Sequence, residues 1–484
     1  MKKSLRKNAV LSAGQKLLSI VFPLITFPYI SRVLRVEDIG KINFANSIVS
    51  YFVLLSSLGI LNYATREGAR IRDNKEKFNQ FCKEIFTINI LSTCVAYAAL
   101  IVACLVSSKI RSYEILILIQ SFSIIGGTIG INWIYTIEED YLYITIRTLI
   151  VQVISVVLML TMVKIEGDYL IYAAISTFAT VGANIFNFFH ARKYVKIGLT
   201  TRLNLKKHLK PILIIFASTI AVTIYVDSDT TLLGFLNSEY CVGLYSRSSK
   251  IYTLIKQMVA AMVVVALPNL SNISESIQIE EYINKARKIL YDVLFLAIPV
   301  AIGLCLTSED VLLILAGQKY IEATRSLQIL AISSFFAVMS SFVTYCCLLP
   351  LRFEKLQLIA TVTSAVVNVS LNFLILPSLA HTGAAITTLL SEALVFVIEV
   401  VYFCRKSLYK PIFKLEMKNI ASLVSGSLWI VAVCMTIEKT NLSFLPCFVI
   451  KVVVSAIGYC VVLLTFKYPS VKTYRCHFFG QQNN

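Results

Sequence analysis

Several basic residues lie inside or directly beside long apolar stretches of the sequence. These are Lys16, Arg32, Arg35, Arg147, Arg247, Lys250 and Lys256. A charge in the hydrocarbon of a membrane costs about 2.5–3.5 kcal/mol or more, so it normally faces an aqueous cavity or a partner. We therefore predict a positively charged cavity that attracts an anion, with these substrate-binding residues: Lys16, Arg32, Arg147, Arg247 and Lys250. For each residue alone, the alternative is a side chain that reaches the lipid headgroups or forms a structural ion pair.

Acidic residues are fewer in the apolar stretches. Glu392 lies about ten residues into one stretch, near the middle of a helix that would span a membrane. Asp227 and Asp229 lie towards the end of another stretch. A carboxylate at such depth is a candidate for binding and releasing an ion, so Glu392 and Asp229 are the predicted ion-coupling residues. The alternative for Glu392 is a structural salt bridge with one of the cavity cations.

The composition of the chain indicates that these charges belong to a membrane protein. Of the 484 residues, 57% are apolar and 15% are charged, and the mean hydropathy is +0.76. Soluble chains are about 45–50% apolar and about 25% charged. This excess excludes a soluble multidomain enzyme, and the 28 Phe and 24 Tyr exclude disorder. The net charge of +18 does not indicate a nucleic acid partner, because the basic residues fall mainly between apolar runs.

Fourteen apolar runs are long enough to span a membrane as helices. They cover residues 8–33, 41–63, 84–107, 113–135, 142–163, 168–190, 211–235, 242–267, 286–306, 327–349, 356–377, 382–404, 418–437 and 443–466. The predicted fold class is an all-α polytopic membrane protein with two six-helix bundles and two C-terminal helices. No predicted loop exceeds about 20 residues, which argues against a membrane polymerase or glycosyltransferase with a loop-borne active site.

The distribution of Lys and Arg predicts the orientation of these helices. With the N-terminus inside, roughly 30 basic residues fall in cytoplasmic segments and roughly 9 outside. An even number of helices returns the C-terminus to the cytoplasm, so both termini are predicted to be cytoplasmic. The 12 Cys and 4 His show no metal-ligand spacing, and we predict no metal, cofactor or catalytic residue.

A weak internal repeat relates the two halves of the chain. The matched pairs are VEDIGKINFANS at 36–47 with SEYCVGLYSRSS at 238–249, DYLYIT at 140–145 with EKLQLI at 354–359, and HARK at 190–193 with FCRK at 403–406. In the first pair, Gly40 matches Gly243 when the second segment is shifted by one residue. Because each second copy follows an even number of helices, the repeats are predicted to be parallel. Chance similarity between apolar segments is the alternative.

The predicted domain organisation follows from this repeat. Its parts are an N-terminal six-helix bundle at 1–195, a basic cytoplasmic linker at 196–210, a C-terminal six-helix bundle at 211–406, and helices 13 and 14 with a cytoplasmic tail at 407–484.

An ordered series of blocks resembles one family of transporters. The blocks are FPLITFPYISRVLRVEDIGKINFANSIVSYF, LGILNYATREGARIRDNKEKFN, NWIYTIEEDYLYITIR, DTTLLGFLNSEYCVGLYSRSSKIY, ALPNLS, LAGQKYIEATRSLQIL and TGAAITTLLSEALVF. They are similar to successive segments of the bacterial polysaccharide repeat-unit (Wzx-type O-antigen) flippases. That family lies in the multidrug/oligosaccharidyl-lipid/polysaccharide exporter superfamily. The resemblance runs from about residue 8 to about residue 405 in the expected order.

The resemblance implies a function as well as a fold. It implies two bundles that face a cation-lined cavity and alternate its access between the two sides of the bacterial cytoplasmic membrane. The implied cargo is an undecaprenyl-pyrophosphate-linked oligosaccharide for O-antigen or capsule synthesis, and the implied activity is not enzymatic. Candidate partners are membrane lipids, a polysaccharide polymerase, a chain-length regulator, and a proton or sodium counter-ion. The alternatives are a peptidoglycan lipid-precursor flippase and a multidrug antiporter of the same superfamily.

Overall fold

The computed structural model describes residues 22–201, 204–264, 267, 270–271, 273, 279–406, 410–440 and 443–471. Across these ranges it contains fourteen long helices and no strand. Ten stretches are long and apolar enough to cross a membrane. The predicted fold class, an all-α polytopic membrane protein, is confirmed.

The chain forms two compact units. The first contains the described residues up to Ser246 together with Leu315–Gly317, and the second contains Arg247–Ile314 and the described residues from Gln318 onward. This division lies inside a helix, whereas the predicted linker at 196–210 lies further towards the N-terminus. The predicted domain bounds therefore stay a prediction.

The first unit is built from ten helices and the start of an eleventh. They are α1 (22–33), α2 (Val36–Ser57), α3 (Ile60–Ile71), α4 (Lys75–Val106), α5 (Ser108–Arg111), α6 (Glu114–Gly130), α7 (Asn132–Ile137), α8 (Tyr141–Met162), α9 (Tyr169–His190), α10 (Leu205–Leu236) and α11 (Glu239–Val264). Aromatic side chains fill a core where α3, α4 and α7 meet, among them Tyr63, Phe81 and Trp133.

The second unit holds the rest of α11 and six further helices. They are α12 (Ile279–Leu306), α13 (Ser308–Leu315), α14 (Thr324–Val343), α15 (Glu354–Lys406), α16 (Met417–Glu438) and α17 (Phe444–Thr465). A five-residue π-helical turn, Thr344–Leu348, continues α14. Tyr282, Leu294, Phe342 and Tyr459 belong to the core of this unit.

Helix breaks distinguish the structure from the predicted spans. The predicted span 113–135 is interrupted at Ile131, whose φ of 37° separates α6 from α7. The predicted spans 356–377 and 382–404 are the two helical arms of α15, which the backbone breaks at Ala380 with φ 45° and ψ −127°, and Thr387 on the second arm bonds back to Asn372 on the first. Both residues carry a Cβ in a region of backbone space that favours glycine, so the residue type signals neither break. The break at Ala380 nevertheless falls between two predicted spans.

Helix α11 carries too many charges to meet the apolar criterion for a span, although it matches the predicted helix 242–267 closely. Elsewhere the helices present large apolar side chains outward, including Val106 at 82% and Leu374 at 75% exposure. Apolar surface of this kind requires a nonpolar environment, as a lipid bilayer provides.

The two glycines aligned by the internal repeat meet where α2 and α11 cross. A Cβ on Gly40 would lie 1.8 Å from the carbonyl oxygen of Glu239, and one on Gly243 would lie 2.1 Å from that of Val36. The contact is reciprocal, because the carbonyl that faces Gly40 lies four residues before Gly243, and the carbonyl that faces Gly243 lies four residues before Gly40. The matched glycines of the predicted repeat therefore lie at one helix crossing, and the repeat itself stays a prediction.

Candidate functional site

Of the two predicted cations nearest the N-terminus, Lys16 and Arg32, the structure describes only Arg32. Lys16 lies outside the described residues. Arg32, near the end of α1, is exposed, and its Nη1 donates a hydrogen bond of 3.0 Å to the carbonyl oxygen of Pro28 one turn earlier. Its side chain also passes near Gly317. Arg32 therefore lies at a surface of the first unit.

Arg147 on α8 is buried, with 8% of its surface exposed. Its Nη1 donates to Oδ1 of Asn184 at 3.2 Å, and its Nη2 donates to Oδ1 of Asn132 at 2.8 Å. Both partners are amides, and no ion pair to Arg147 occurs among the residues that the structure describes. The guanidinium charge is therefore solvated by dipoles without being cancelled by a carboxylate.

The break at Ile131 positions these amides. Asn132 begins α7 directly after the break, so its side chain turns towards α8 and α9. Asn187 on α9 donates from Nδ2 to Oδ1 of Asn132 at 3.0 Å and to the carbonyl oxygen of Gly130 at 2.7 Å. We name Arg147, Asn132, Asn184 and Asn187 the Arg147 cluster. It ties α7, α8 and α9 together around one buried cation.

Arg247 and Lys250 lie on α11 in the second unit. Arg247 is 6% exposed, and its guanidinium carbon lies 5.8 Å from the centre of the Tyr320 ring, within cation–π range. Lys250 is exposed. Their spacing of three residues predicts that they share one helix face. Tertiary packing buries Arg247 and leaves Lys250 exposed.

Glu392 on α15 pairs with a basic residue of α11. Its Oε1 accepts hydrogen bonds from Lys256 Nζ at 2.5 Å and from the Tyr252 hydroxyl at 2.7 Å, and Glu392 is 4% exposed. This contact is a salt bridge between Glu392 and Lys256, which is the alternative to an ion-coupling role for Glu392. The predicted ion-coupling role of Glu392 stays a prediction.

The aspartates of α10 bond to hydroxyl groups of the first unit. Asp229, 4% exposed, accepts from the Tyr245 hydroxyl at 2.8 Å. Asp227 accepts from Ser50 Oγ at 2.6 Å. These contacts join α10 to α2 and to the start of α11, and the ion-coupling role of Asp229 is likewise a prediction.

Sequence reasoning missed two features of the buried polar set. The asparagines of the Arg147 cluster are uncharged, so a search for charges passes over them, although the spacing of Asn184 and Asn187 places them on one helix face. Glu399 on α15 is fully buried, at 0% exposure. Glu399 follows Glu392 by about two helical turns, and that spacing could have indicated from the sequence that both lie on one helix face.

No group of three or more His, Cys, Asp or Glu side chains suited to a metal ion occurs in the described ranges.

Comparison with known proteins places this chain in a family. The family model described as a polysaccharide biosynthesis protein matches residues 5–274. A candidate O-antigen transporter of Escherichia coli (strain K12) is 22% identical over 397 residues, covering 81% of this chain and 95% of that protein. A candidate O-antigen transporter of Shigella dysenteriae is 22% identical over 401 residues, covering 81% and 98%.

Solved structures share the fold. The lipid II flippase MurJ in an inward closed conformation aligns with a TM-score of 0.73 at 15% identity, covering 95% of this chain and 98% of that one. A multidrug resistance MATE family transporter of the MOP superfamily, in an inward-facing conformation, aligns with a TM-score of 0.59 at 12% identity, covering 82% and 95%. The family model covers more than half of the 484 residues, and the chain therefore belongs to the polysaccharide biosynthesis protein family.

Proposed function

We propose that this protein is a flippase that moves a lipid-linked oligosaccharide from one leaflet of a membrane to the other. The observation that carries the proposal is the alignment with two O-antigen transporters over 95% and 98% of their lengths. Transport needs no catalytic group, and the proposed activity is movement of the cargo without chemical change.

The buried cations support an anionic cargo. A pyrophosphate presents several acceptor oxygens, and a guanidinium offers paired donors in a rigid fork that fits them. Arg147 keeps its charge uncancelled inside the first unit, since its partners there are amide oxygens. Arg247 is a buried arginine of the second unit. We propose that Lys16, Arg32 and Lys250 complete the set that binds the pyrophosphate.

The finer proposal is undecaprenyl-pyrophosphate-linked repeat units as cargo and alternating access as mechanism. We place the protein in the bacterial cytoplasmic membrane with both termini inside. A proton or sodium ion bound at Glu392 or Asp229 would couple the cycle to an ion gradient, and a polysaccharide polymerase and chain-length regulator would receive the product. Reporter fusions at Lys207 and Lys439, both exposed, should read cytoplasmic and outer respectively. The same side for both would contradict this topology.

Complementation in two bacterial strains tests the function. We expect the gene to restore surface polysaccharide in a strain that lacks its O-antigen flippase, with lipid-linked glycan appearing in the outer leaflet. A strain depleted of its lipid II flippase tests the peptidoglycan alternative, and rescue there without rescue in the first strain would overturn the proposal. Arg147→Gln is the loss-of-function variant. Arg70→Gln, at an exposed arginine that contacts Glu67, is the matched control.

A further inference from the structure

Glu399 is the least exposed carboxylate in the described part of the chain. Its side chain is 0% exposed, against 4% for both Glu392 and Asp229. It lies on α15 and faces α14, where Ser340 Oγ donates to Oε2 at 2.9 Å and Thr344 Oγ1 donates to Oε1 at 3.0 Å. Each carboxyl oxygen therefore has one hydroxyl partner.

No cation compensates Glu399 among the described residues. The titratable groups near it are Cys347, on the turn after α14, and Glu392 on its own helix. None of these groups is basic, and the nearest base along the helix, Arg405, is exposed. Glu392, two turns away on the same helix, has Lys256 as an ion-pair partner. One helix thus carries a paired and an unpaired carboxylate.

The element opposite Glu399 is irregular. Thr344 is the first residue of the π-helical turn Thr344–Leu348, in which the Leu349 amide donates to the Thr344 carbonyl oxygen at 2.9 Å. The Tyr282 hydroxyl donates to the Cys346 carbonyl oxygen at 2.6 Å and holds this turn against α12. π-helical turns are rare in proteins overall, and those that occur are often found at functional sites. This one places the Thr344 hydroxyl at the carboxyl group.

We propose that Glu399 is a proton-binding site, occupied as the neutral carboxylic acid in this conformation. An ionised carboxylate without a cation is very costly in a buried apolar environment, whereas a carboxylic acid is not. In the neutral acid, the O–H group donates to one of the two hydroxyls, which then serves as its acceptor, while the other hydroxyl donates to the carbonyl oxygen. Ser340 and Thr344 can therefore satisfy both oxygens. The binding step is the addition of one proton to one carboxylate, and it needs no other reactant.

The proton can leave only when the site opens to water, because the carboxyl group is fully enclosed here. A conformational change that separates α15 from α14 would expose Glu399 and release the proton. Coupling of this release to cargo movement rests on the proposed flippase function. The proton-binding site itself does not depend on that function.

Infrared difference spectroscopy of the purified protein in lipid vesicles tests the site directly. We expect a protonated-carboxyl C=O band at neutral pH that shifts in D2O, and we expect that band to be lost in Glu399→Gln. Glu392→Gln is the matched control, and it should keep the band because Glu392 is ion-paired. An unchanged band in Glu399→Gln would overturn the proposal. Loss of the band on adding sodium at constant pH would also overturn it, in favour of a sodium site.

A second variant keeps the test decisive if Glu399→Gln fails to fold. Ser340→Ala removes one of the two hydroxyl partners and should shift the frequency of the band without abolishing it, and an unshifted band would contradict the assignment.

Glycan translocation in vesicles with an imposed pH gradient then separates the proton-binding site from the proposed flippase function. A band at Glu399 in a protein that moves no glycan would reject the flippase function and leave the proton site standing. Full gradient dependence in Glu399→Gln would reject the coupling.

Discussion

Arg147 in the first unit and Lys256 in the second have different kinds of partner. In the first unit, Arg147 is surrounded by amides, and its charge stays available. In the second unit, Lys256 is 2.5 Å from the carboxylate of Glu392, and each charge neutralises the other. A charge inside this fold is therefore not by itself evidence for a ligand site. An uncancelled charge suits an anionic ligand, whereas a paired one holds helices together and leaves little charge for a ligand.

The largest effect is expected from breaking the ion pair of the second unit. Lys256→Met leaves Glu392 buried without its cation and should destabilise the protein by about 3 kcal/mol or more. The double variant Lys256→Met, Glu392→Gln removes both charges and should recover most of that loss. Thermal unfolding of the protein in detergent measures both variants.

A matched control for this prediction is Lys285→Met, because Lys285 pairs with Glu281 at 3.7 Å in an exposed position. That substitution should cost less than about 1 kcal/mol. If the double variant is as unstable as Lys256→Met alone, the pair is not what stabilises this region, and the contrast between the two units fails.

The next effect concerns Arg147. Arg147→Lys cannot reach Asn132 and Asn184 together with a single ammonium group, and it should lose about 1.5–3 kcal/mol of charge-assisted hydrogen bonding. Arg147→Gln removes the charge and should abolish glycan transport even in the fraction that folds. Transport is measured per amount of folded protein in the membrane. Wild-type transport by folded Arg147→Gln would mean that the cluster only joins α7, α8 and α9.

Replacing either of the two glycines at the crossing of α2 and α11 should destabilise the protein by a similar amount. Gly40→Ala and Gly243→Ala each place a methyl group against a backbone carbonyl and should each destabilise the protein by about 1–3 kcal/mol. Gly127→Ala, at a helical glycine with open space around it, is the control and should be neutral or slightly stabilising. Unfolding temperatures that fall for only one of the two glycines would show that the crossing is not symmetric.

The smallest effect is expected at the partners of Glu399. Ser340→Ala and Thr344→Val each remove one hydroxyl that bonds to the carboxyl group, and each should cost about 1 kcal/mol. Each loss should therefore be well below that of Lys256→Met in the same unfolding measurement. A loss as large as that of Lys256→Met would indicate that the hydroxyls stabilise a charge, and would argue against the neutral acid.

Sequence reasoning found most of the charged residues but not their partners. Arg147, Arg247 and Glu392 stand out because each interrupts an apolar run, and apolar runs are visible without a structure. The partner of Glu392 lies 136 residues away on another helix, so no local pattern announces it. The asparagines around Arg147 were missed for a similar reason, since their role depends on a helix break at Ile131, a residue type that does not predict one.

An all-α membrane protein with long apolar helices can be predicted from the sequence alone, because helix length and hydropathy are local properties of the chain. The match between Gly40 and Gly243 is likewise predicted from the sequence, because a repeat is visible there without a structure. Which of the charges inside this fold are cancelled depends on tertiary packing. Lys256 meets Glu392, Arg147 meets amides, and Glu399 meets hydroxyls because packing brings particular faces of distant helices together. The free energy of a buried charge depends on those neighbours and so cannot be read from the residue alone.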